Sequence, residues 1–278
     1  MTVRTQWRRL WQGLQTISGL RRQGFFIPYR YAESVSPESY PALEPLFREA
    51  EPDMRRLMDV IDQYATDLAG FDGPPPRPRI AQNWFARLDA GAAYAMVRCQ
   101  QPKTIIEIGS GHSTRFMAQA VTDGSCRSRI ICIDPAPRAT ISGLALDHIP
   151  KVLSDADPSV FSQLQAGDVL FVDSSHISMP GTDVDTVFAS ILPALPAGVL
   201  VHVHDVVLPD AYPADWDWRA YNEQLPVACL LQGGYRLLWS SHWVATRQKA
   251  WVAEGPVATI PMREEALETS IWMEKRET

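Results

Sequence analysis

Two stretches of the 278-residue chain set carboxylates beside imidazoles: Phe171-Val172-Asp173-Ser174-Ser175-His176 and His202-Val203-His204-Asp205. Each begins apolar and ends polar, the pattern of a buried strand that opens into a loop. In an open parallel sheet the carboxyl ends of the strands face one crevice, so Asp173 and Asp205 are expected close together although 32 residues separate them. Two carboxylates with a histidine suit a divalent cation that keeps open positions for substrate oxygens. Such a cation lowers the pKa of a bound hydroxyl, and a nearby imidazole can take the proton. The same residues also suit a hydrogen-bonded polar cluster without metal, joined by His202 from the strand face of His204.

A second constellation lies upstream. Ile105-Ile106-Glu107-Ile108-Gly109-Ser110-Gly111-His112-Ser113-Thr114 reads as a strand, a tight turn and a helix start. Gly109 and Gly111 let the backbone turn sharply and approach a ligand without a Cβ in the way. Ser113 or Thr114 can cap the helix, whose first N–H groups are free for a ligand. Glu107 closes the strand, where a carboxylate can accept hydrogen bonds from an ammonium group. Asp134 ends the next strand 23 residues after Gly111, placed for the two ribose hydroxyls of a nucleoside. Each acid, taken alone, reads equally well as a solvated strand end. A dinucleotide fingerprint would have glycine at 114, where this chain has Thr.

Glu107-Ile108-Gly109-Ser110-Gly111 followed by Ile133-Asp134 resembles the first two motifs of class I S-adenosylmethionine (SAM)-dependent methyltransferases, above all the small-molecule O-methyltransferase branch, over about residues 81–275. The resemblance implies that Glu107 meets the methionine amino group and that Gly109, Ser110, Gly111 and Ser113 line the methionine side. It implies that Asp134 holds the ribose, and that the loop Ser154-Asp155-Ala156-Asp157 borders the adenine through Asp155. Asp173-x-x-His176 with an acid at 205 is similar to metal-dependent sugar O-methyltransferases of the macrolide-tailoring type. By that likeness Asp173 and Asp205 would hold Mg2+, with His204 beside them as a third ligand and His176 as general base. The chain departs from the pattern at His204, where an acidic ligand is replaced. It departs from plant caffeoyl-type enzymes at Val206, where they carry Asn. The run from His204-Asp205 to Gln224 also resembles uncharacterised bacterial methyltransferase-like proteins.

The elements that must position these residues follow from periodicity. Thr104–Ile108, Arg129–Ile133, Val169–Val172 and Val199–Val203 are Val- and Ile-rich runs that read as buried strands. A weaker strand is expected near 149–153 and late ones at 235–245 and 268–274. Helices are expected at 114–122, 138–146, 183–194 and 219–232. The fold class implied is doubly wound α/β, a Rossmann-like, mostly parallel seven-stranded sheet. Apolar residues at threes and fours over 38–69 predict more helix, and Gly73-Pro74-Pro75-Pro76-Arg77-Pro78 reads as a linker. Residues 1–80 are therefore expected to be a helical extension, with the SAM-binding domain at 81–278.

Composition narrows the partners. Residues 1–30 carry six arginines and no acid, so the chain's net charge of −6 becomes −12 for the remainder. A body that acidic repels phosphate backbones, which argues against nucleic acid. Four cysteines without regular spacing read as free thiols, and no secretory signal pattern is seen, so a cytoplasmic location is expected. Trp7, Leu10, Trp11, Leu14 and Ile17 share a helical face beside arginines. That stripe suits contact with an anionic membrane, or packing on the chain's own domain or on a second copy in a homo-oligomer. Its shortness and Gly13 favour packing. Beyond Asp205, Pro209, Tyr212, Trp216, Trp218, Arg219, Tyr221 and Glu223 suit either a substrate lid over the crevice or ordinary packing over the sheet edge.

The leading expectation is SAM-dependent O-methylation of a small hydroxylated acceptor, sugar- or phenol-like. A SAM-binding module without catalysis, docking through the basic helix, is the alternative. A nicotinamide-dependent oxidoreductase is disfavoured by Thr114.

Overall fold

Eleven α-helices and seven strands, with shorter 3₁₀ and π turns between them, are present in the computed structural model, which describes residues 3–277. The first helix, α1 (Val3–Ile17), stands off the body with its apolar side chains in solvent, so it does not pack on its own domain. Next come α2 (Glu44–Glu49), α3 (Glu51–Gln63) and α4 (Ala65–Ala69). Phe47, Met54, Met58, Ile61 and Leu68 of these helices lie in the same core as the sheet. Asp53 pairs with Arg236 at 2.9 Å, and Glu51 accepts from the Trp243 indole at 3.0 Å. Residues 40–69 are thus part of the main body rather than separate from it. The Pro-rich stretch is a closed loop and not a free linker, because Asp72 and Arg79 bridge its ends and Ile80 donates to the Phe71 carbonyl.

Helix α5 (Arg87–Gln100) was not expected from periodicity. It is buried along nearly its whole length, so it has no polar face to give an amphipathic signal. Its small residues allow close packing: a Cβ on Gly91 would come within 2.9 Å of Ile61.

The sheet begins with β1 (Thr104–Ile108), followed by α6 (His112–Asp123), β2 (Arg129–Ile133), β3 (Asp147–Ile149) and β4 (Val169–Val172). Then come α7 (Asp183–Thr186), a π turn (Val187–Ile191), α8 (Leu192–Ala194) and β5 (Leu200–Val203). The chain closes with α9 (Gln224–Leu231), β6 (Tyr235–Ser240), α10 (Ser241–Arg247), α11 (Lys249–Glu254) and β7 (Ile271–Lys275). Strand order is β3-β2-β1-β4-β5-β7-β6, and β7 alone runs antiparallel to both its neighbours. The expected doubly wound, mostly parallel, seven-stranded sheet is what forms.

Several boundaries differ from expectation. Residues 138–146 are loop, not helix: Arg138 N donates to the Ser110 carbonyl and Gly143 turns at φ +91°, which drapes the segment over the glycine turn. The third strand is Asp147–Ile149 rather than 149–153. The helix over 183–194 carries the π turn just before Pro193, whose ring nitrogen cannot donate to the helical ladder. Helix α9 starts at Gln224, five residues late, after a 3₁₀ turn over Ala214–Arg219. Strand β6 stops at Ser240 because its hydroxyl accepts from Trp243 N and caps α10.

Register aligns the site. Cys132, Glu107, Phe171, His202 and Trp272 form one row across five strands. Past the strand ends the ladder continues: Gly109 N to the Ile133 carbonyl, Asp173 N to Ile108, and His204 N to Val172, each at 2.9–3.0 Å. The loops that carry the glycine turn, Asp173 and His204 are held side by side by these bonds.

Candidate active site

The glycine turn lies over β1. Gly109 has φ +78°, and a Cβ there would sit 1.9 Å from the Asp173 carbonyl oxygen, so only glycine fits between the first and fourth strand ends. Below it Glu107 is fully buried. Its two oxygens accept from the Ser113 and Thr114 hydroxyls, both at 2.6 Å, and the Cys132 thiol lies 3.2 Å away. Thr114 in turn accepts from Gly111 N at 2.8 Å. Burial pushes the Glu107 carboxyl up to about 7, against the lowering effect of those hydroxyls. Glu107 therefore clamps the turn to the start of α6, and it does not line the cleft. Thr114, at the place of a third glycine, is part of that clamp.

A cleft of about 550 Å³ opens above the turn, lined by Gly109, Ser110, Gly111, Ser113, Asp134 and Asp173 among others. Asp134 accepts from Ser110 N at 2.7 Å and from Ala136 N at 2.7 Å, which fixes its carboxylate at the cleft wall. His112 also lines the cleft, at the N-terminus of α6. Its Nδ1 is buried without a hydrogen-bond partner, and burial together with Arg115, Arg79 and Arg138 pulls its pKa down to about 4. Asp155 is exposed and does not line the cleft, whereas its neighbour Ser154 does. The size, the Cβ-free floor, the helix N-terminus and the orphaned imidazole nitrogen fit a nucleoside-sized cofactor such as SAM.

The acid–histidine cluster lies at the ends of β4 and β5. His176 Nδ1 is 2.8 Å from Glu223 Oε2, and its Nε2 is 3.3 Å from Asp173 and 3.5 Å from Asp205. His204 Nδ1 is 3.5 Å from Asp173 and 3.6 Å from Asp205, and its Nε2 faces the buried Asp89 at 3.6 Å. Burial alone would lower both imidazoles. The surrounding carboxylates outweigh it and hold both well above the ordinary histidine value. Burial would likewise raise Asp173, but His204 and His176 hold it well below the usual carboxylate range. His176 and Asp205 both sit at positive φ, +61° and +55°, a strained backbone that the surrounding bonds must maintain. His202 is not part of this cluster: it stacks on Phe171 at 3.6 Å and bonds to Ser270, and burial keeps it neutral.

The expected metal centre is not formed. Among the described residues no group of three or more His, Cys, Asp or Glu side chains is arranged to hold a metal ion. The physical reason lies in the pairings above. Each imidazole nitrogen of His176 and His204 faces a carboxylate, so the acids expected to ligate are already paired with the rings. Of the expected ligands Asp173 and Asp205 offer the oxygens that Mg2+ favours, whereas His204 offers only nitrogen.

A second cavity of about 280 Å³ adjoins the cleft, sharing Trp84 and Arg138 with it. His204, Asp205, Trp216, Arg219 and Thr269 form its other walls. Residues 216–224 roof the cluster. Tyr221 lies 4.6 Å from the His176 ring, Asn222 bonds both ways with the Ser178 backbone, and Gln224 accepts from Val207 N.

Comparison with known proteins now bears on this geometry. Residues 106–206 match the family described as a methyltransferase domain. Glu107, Asp134, Asp173 and Asp205, which carry the motifs of the resemblance to class I SAM-dependent methyltransferases, lie inside the matched residues. No curated protein matches the chain in sequence. Similar solved structures include the SAH-bound methyltransferase PaMTH1 of Podospora anserina, at 14% identity, covering 91% of this chain and 100% of that one, with TM-score 0.43. The O-methyltransferase TomG of Streptomyces achromogenes, in complex with SAM, is 13% identical over 89% of this chain and 95% of its own, with TM-score 0.40. The branched-chain polyamine synthase of Thermus thermophilus is 14% identical, covering 77% and 63%, with TM-score 0.42. Likenesses this distant carry no argument about chemistry.

Within the matched residues, then, Gly109, Ser110, Gly111, Ser113, Asp134 and Asp173 are brought to one cleft, and His204 and Asp205 to the adjoining cavity. His176 lies behind Asp173 and Asp205 and lines neither space. Two site residues outside the segment went unread in the sequence. Glu223 appeared only as one polar residue of the loop after the site, with nothing to single it out. Asp89 sits in the unpredicted helix α5. The clamp made by Thr114 on Glu107 had a signal, a hydroxyl at the third-glycine position.

Proposed function

We propose that the protein transfers a methyl group from SAM to a hydroxyl oxygen of a small acceptor. One observation carries this reading: the cleft that fits the cofactor ends on Asp173, and the adjoining cavity begins on His204, with Asp173 Oδ1 and His204 Nδ1 only 3.5 Å apart. A donor in one space and an acceptor in the other meet at that pair, which is the near-attack arrangement displacement at carbon requires. SAM, when bound, supplies an electrophilic methyl on its sulfonium sulfur. Asp205, in the wall of the acceptor cavity, is placed to accept the hydroxyl proton as the oxygen becomes nucleophilic. His176, 3.5 Å behind, receives that proton at Nε2 once the pH exceeds its raised pKa and the ring is neutral, while Glu223 fixes the ring through Nδ1. The His204 ring, whose pKa is held well above the ordinary value, offsets carboxylate charge that a cation would otherwise bridge. Trp216 and Trp84 offer flat faces to a sugar- or phenol-like acceptor.

Calorimetry of SAM and its demethylated product, followed by a screen of hydroxylated acceptors with methyl-labelled SAM, tests the reading. Saturable binding of both and label in an acceptor are expected. Failure of either compound to bind would sink the proposal. Binding without transfer to any acceptor would instead favour the non-catalytic module.

A further inference from the structure

Large apolar side chains of α1 stand in solvent: Trp7 is 68% exposed, Trp11 64% and Ile17 67%, with Leu10 and Leu14 also open. At the helical repeat they share one arc of about 120°, and Arg4 and Arg8 border that arc one turn apart. The apolar surface continues past the helix through the exposed Leu20, Phe26 and Ile27. Arg9, Arg21, Arg22 and Arg30 complete six cations, and the first acid in the chain is Glu33. Among the described residues nothing covers this strip.

We propose that residues 3–31 dock on an anionic membrane surface, with α1 lying in the plane of the interface and Trp7 and Trp11 at the headgroup boundary. An arc of Trp, Leu and Ile flanked by arginine is what an interfacial helix needs: apolar area for the acyl edge, amphipathic rings for the boundary, and cations for lipid phosphates. Charge decides between occupants. The same strip on a second copy would set arginines against arginines with no acid to pair them. The rest of the chain, at −12, is repelled by an anionic surface, so docking falls to this segment alone.

The docking segment leads directly onto the walls of the acceptor cavity. Tyr40 N donates to the Pro209 carbonyl at 2.6 Å, and Ser39 bonds to Asp210. Ala32, Val35 and Tyr40 line a groove with Tyr212 and Trp216, and Trp216 also walls the acceptor cavity. Membrane contact and the site are thus joined by one short stretch of chain, although the docking stands independently of the methyl-transfer reading.

The test is co-sedimentation of the full chain with vesicles of phosphatidylcholine alone and of phosphatidylcholine mixed with phosphatidylglycerol. Binding to the mixed vesicles only, weakened by salt, is expected. The pair Arg4→Ala and Arg8→Ala should weaken it about thirty-fold. The pair Trp7→Glu and Trp11→Glu should abolish it, with the thermal midpoint of the body unchanged. No binding to mixed vesicles, or equal binding to phosphatidylcholine alone, overturns the proposal. So does a wild-type dimer that these tryptophan substitutions dissociate in the absence of vesicle binding, because it assigns the strip to a second copy.

Discussion

Glu223, from the segment that roofs the cluster, holds His176 Nδ1 at 2.8 Å, and both side chains are buried. A carboxylate in that position fixes the ring and favours its proton-bearing form. Glu223→Gln keeps the shape and removes the charge. The His176 pKa should then fall, and kcat should drop by about 10²–10⁴, with SAM affinity nearly unchanged. The pH profile gives the sign. His176 accepts a proton only as neutral imidazole, and its pKa is held above the ordinary value, so kcat rises with pH through an apparent pKa above 6.5. In Glu223→Gln that limb should move to lower pH. A limb that stays in place would assign Glu223 to packing alone.

Much of this arrangement was legible in the residues, and the parts that were not have a common cause. Strands β1, β2, β4 and β5 are continuous apolar runs, so their ends, and with them Gly109, Asp134, Asp173 and Asp205, could be placed without coordinates. Helix α5 carries no polar face, because neighbours surround it, and Asp89 was hidden with it. Glu223 lies 47 residues beyond His176 in sequence, and only the fold of the roofing segment brings the two together. The metal expectation came from acids at suitable positions. What sequence spacing could not convey is that His176 and His204 would turn their nitrogens onto those acids and occupy them.

Glu107 offers a test of the clamp. Its folded pKa of about 7 exceeds the ordinary 4.5, so the stability it contributes is fully present below pH 4.5 and is lost as the pH rises through 7. The loss is on the order of 3 kcal/mol. Glu107→Gln should flatten that dependence in urea unfolding between pH 5 and 8. Thr114→Val breaks the same clamp from the other side and should cost about 1–3 kcal/mol, weakening SAM binding as well. If Glu107→Gln weakened SAM and Thr114→Val did not, the carboxylate would be touching the ligand directly.

Gly109 and Gly167 separate backbone strain from steric fit. Both turn at positive φ, +78° and +86°, but a Cβ at 167 meets nothing within 4 Å, while one at 109 meets the Asp173 carbonyl at 1.9 Å. Gly167→Ala should cost about 1–2 kcal/mol and leave SAM affinity alone. Gly109→Ala forces β1 and β4 apart at their ends and should cost more than about 4 kcal/mol and abolish SAM binding. Differential scanning calorimetry with and without SAM reads both, and equal effects at the two positions would refute the account of the turn.

The metal question turns on His204. In the wild-type protein its ring faces Asp173 and Asp205 as a cation, so EDTA should leave methyl transfer unchanged and added Mg2+ should not raise the thermal midpoint. His204→Glu replaces that cation with a third carboxylate beside the other two. Oxygen ligands in that number suit Mg2+, and three acids so close, with His176 left as the one imidazole between them, repel one another unless a cation joins them. The variant should therefore be destabilised in EDTA and recover stability with Mg2+ in a saturable way. EDTA inhibition of the wild-type protein would show that the imidazoles release the carboxylates to a cation during turnover. An indifferent His204→Glu variant would mean that the carboxylates point apart, and the cluster would then be purely an imidazole–carboxylate proton network.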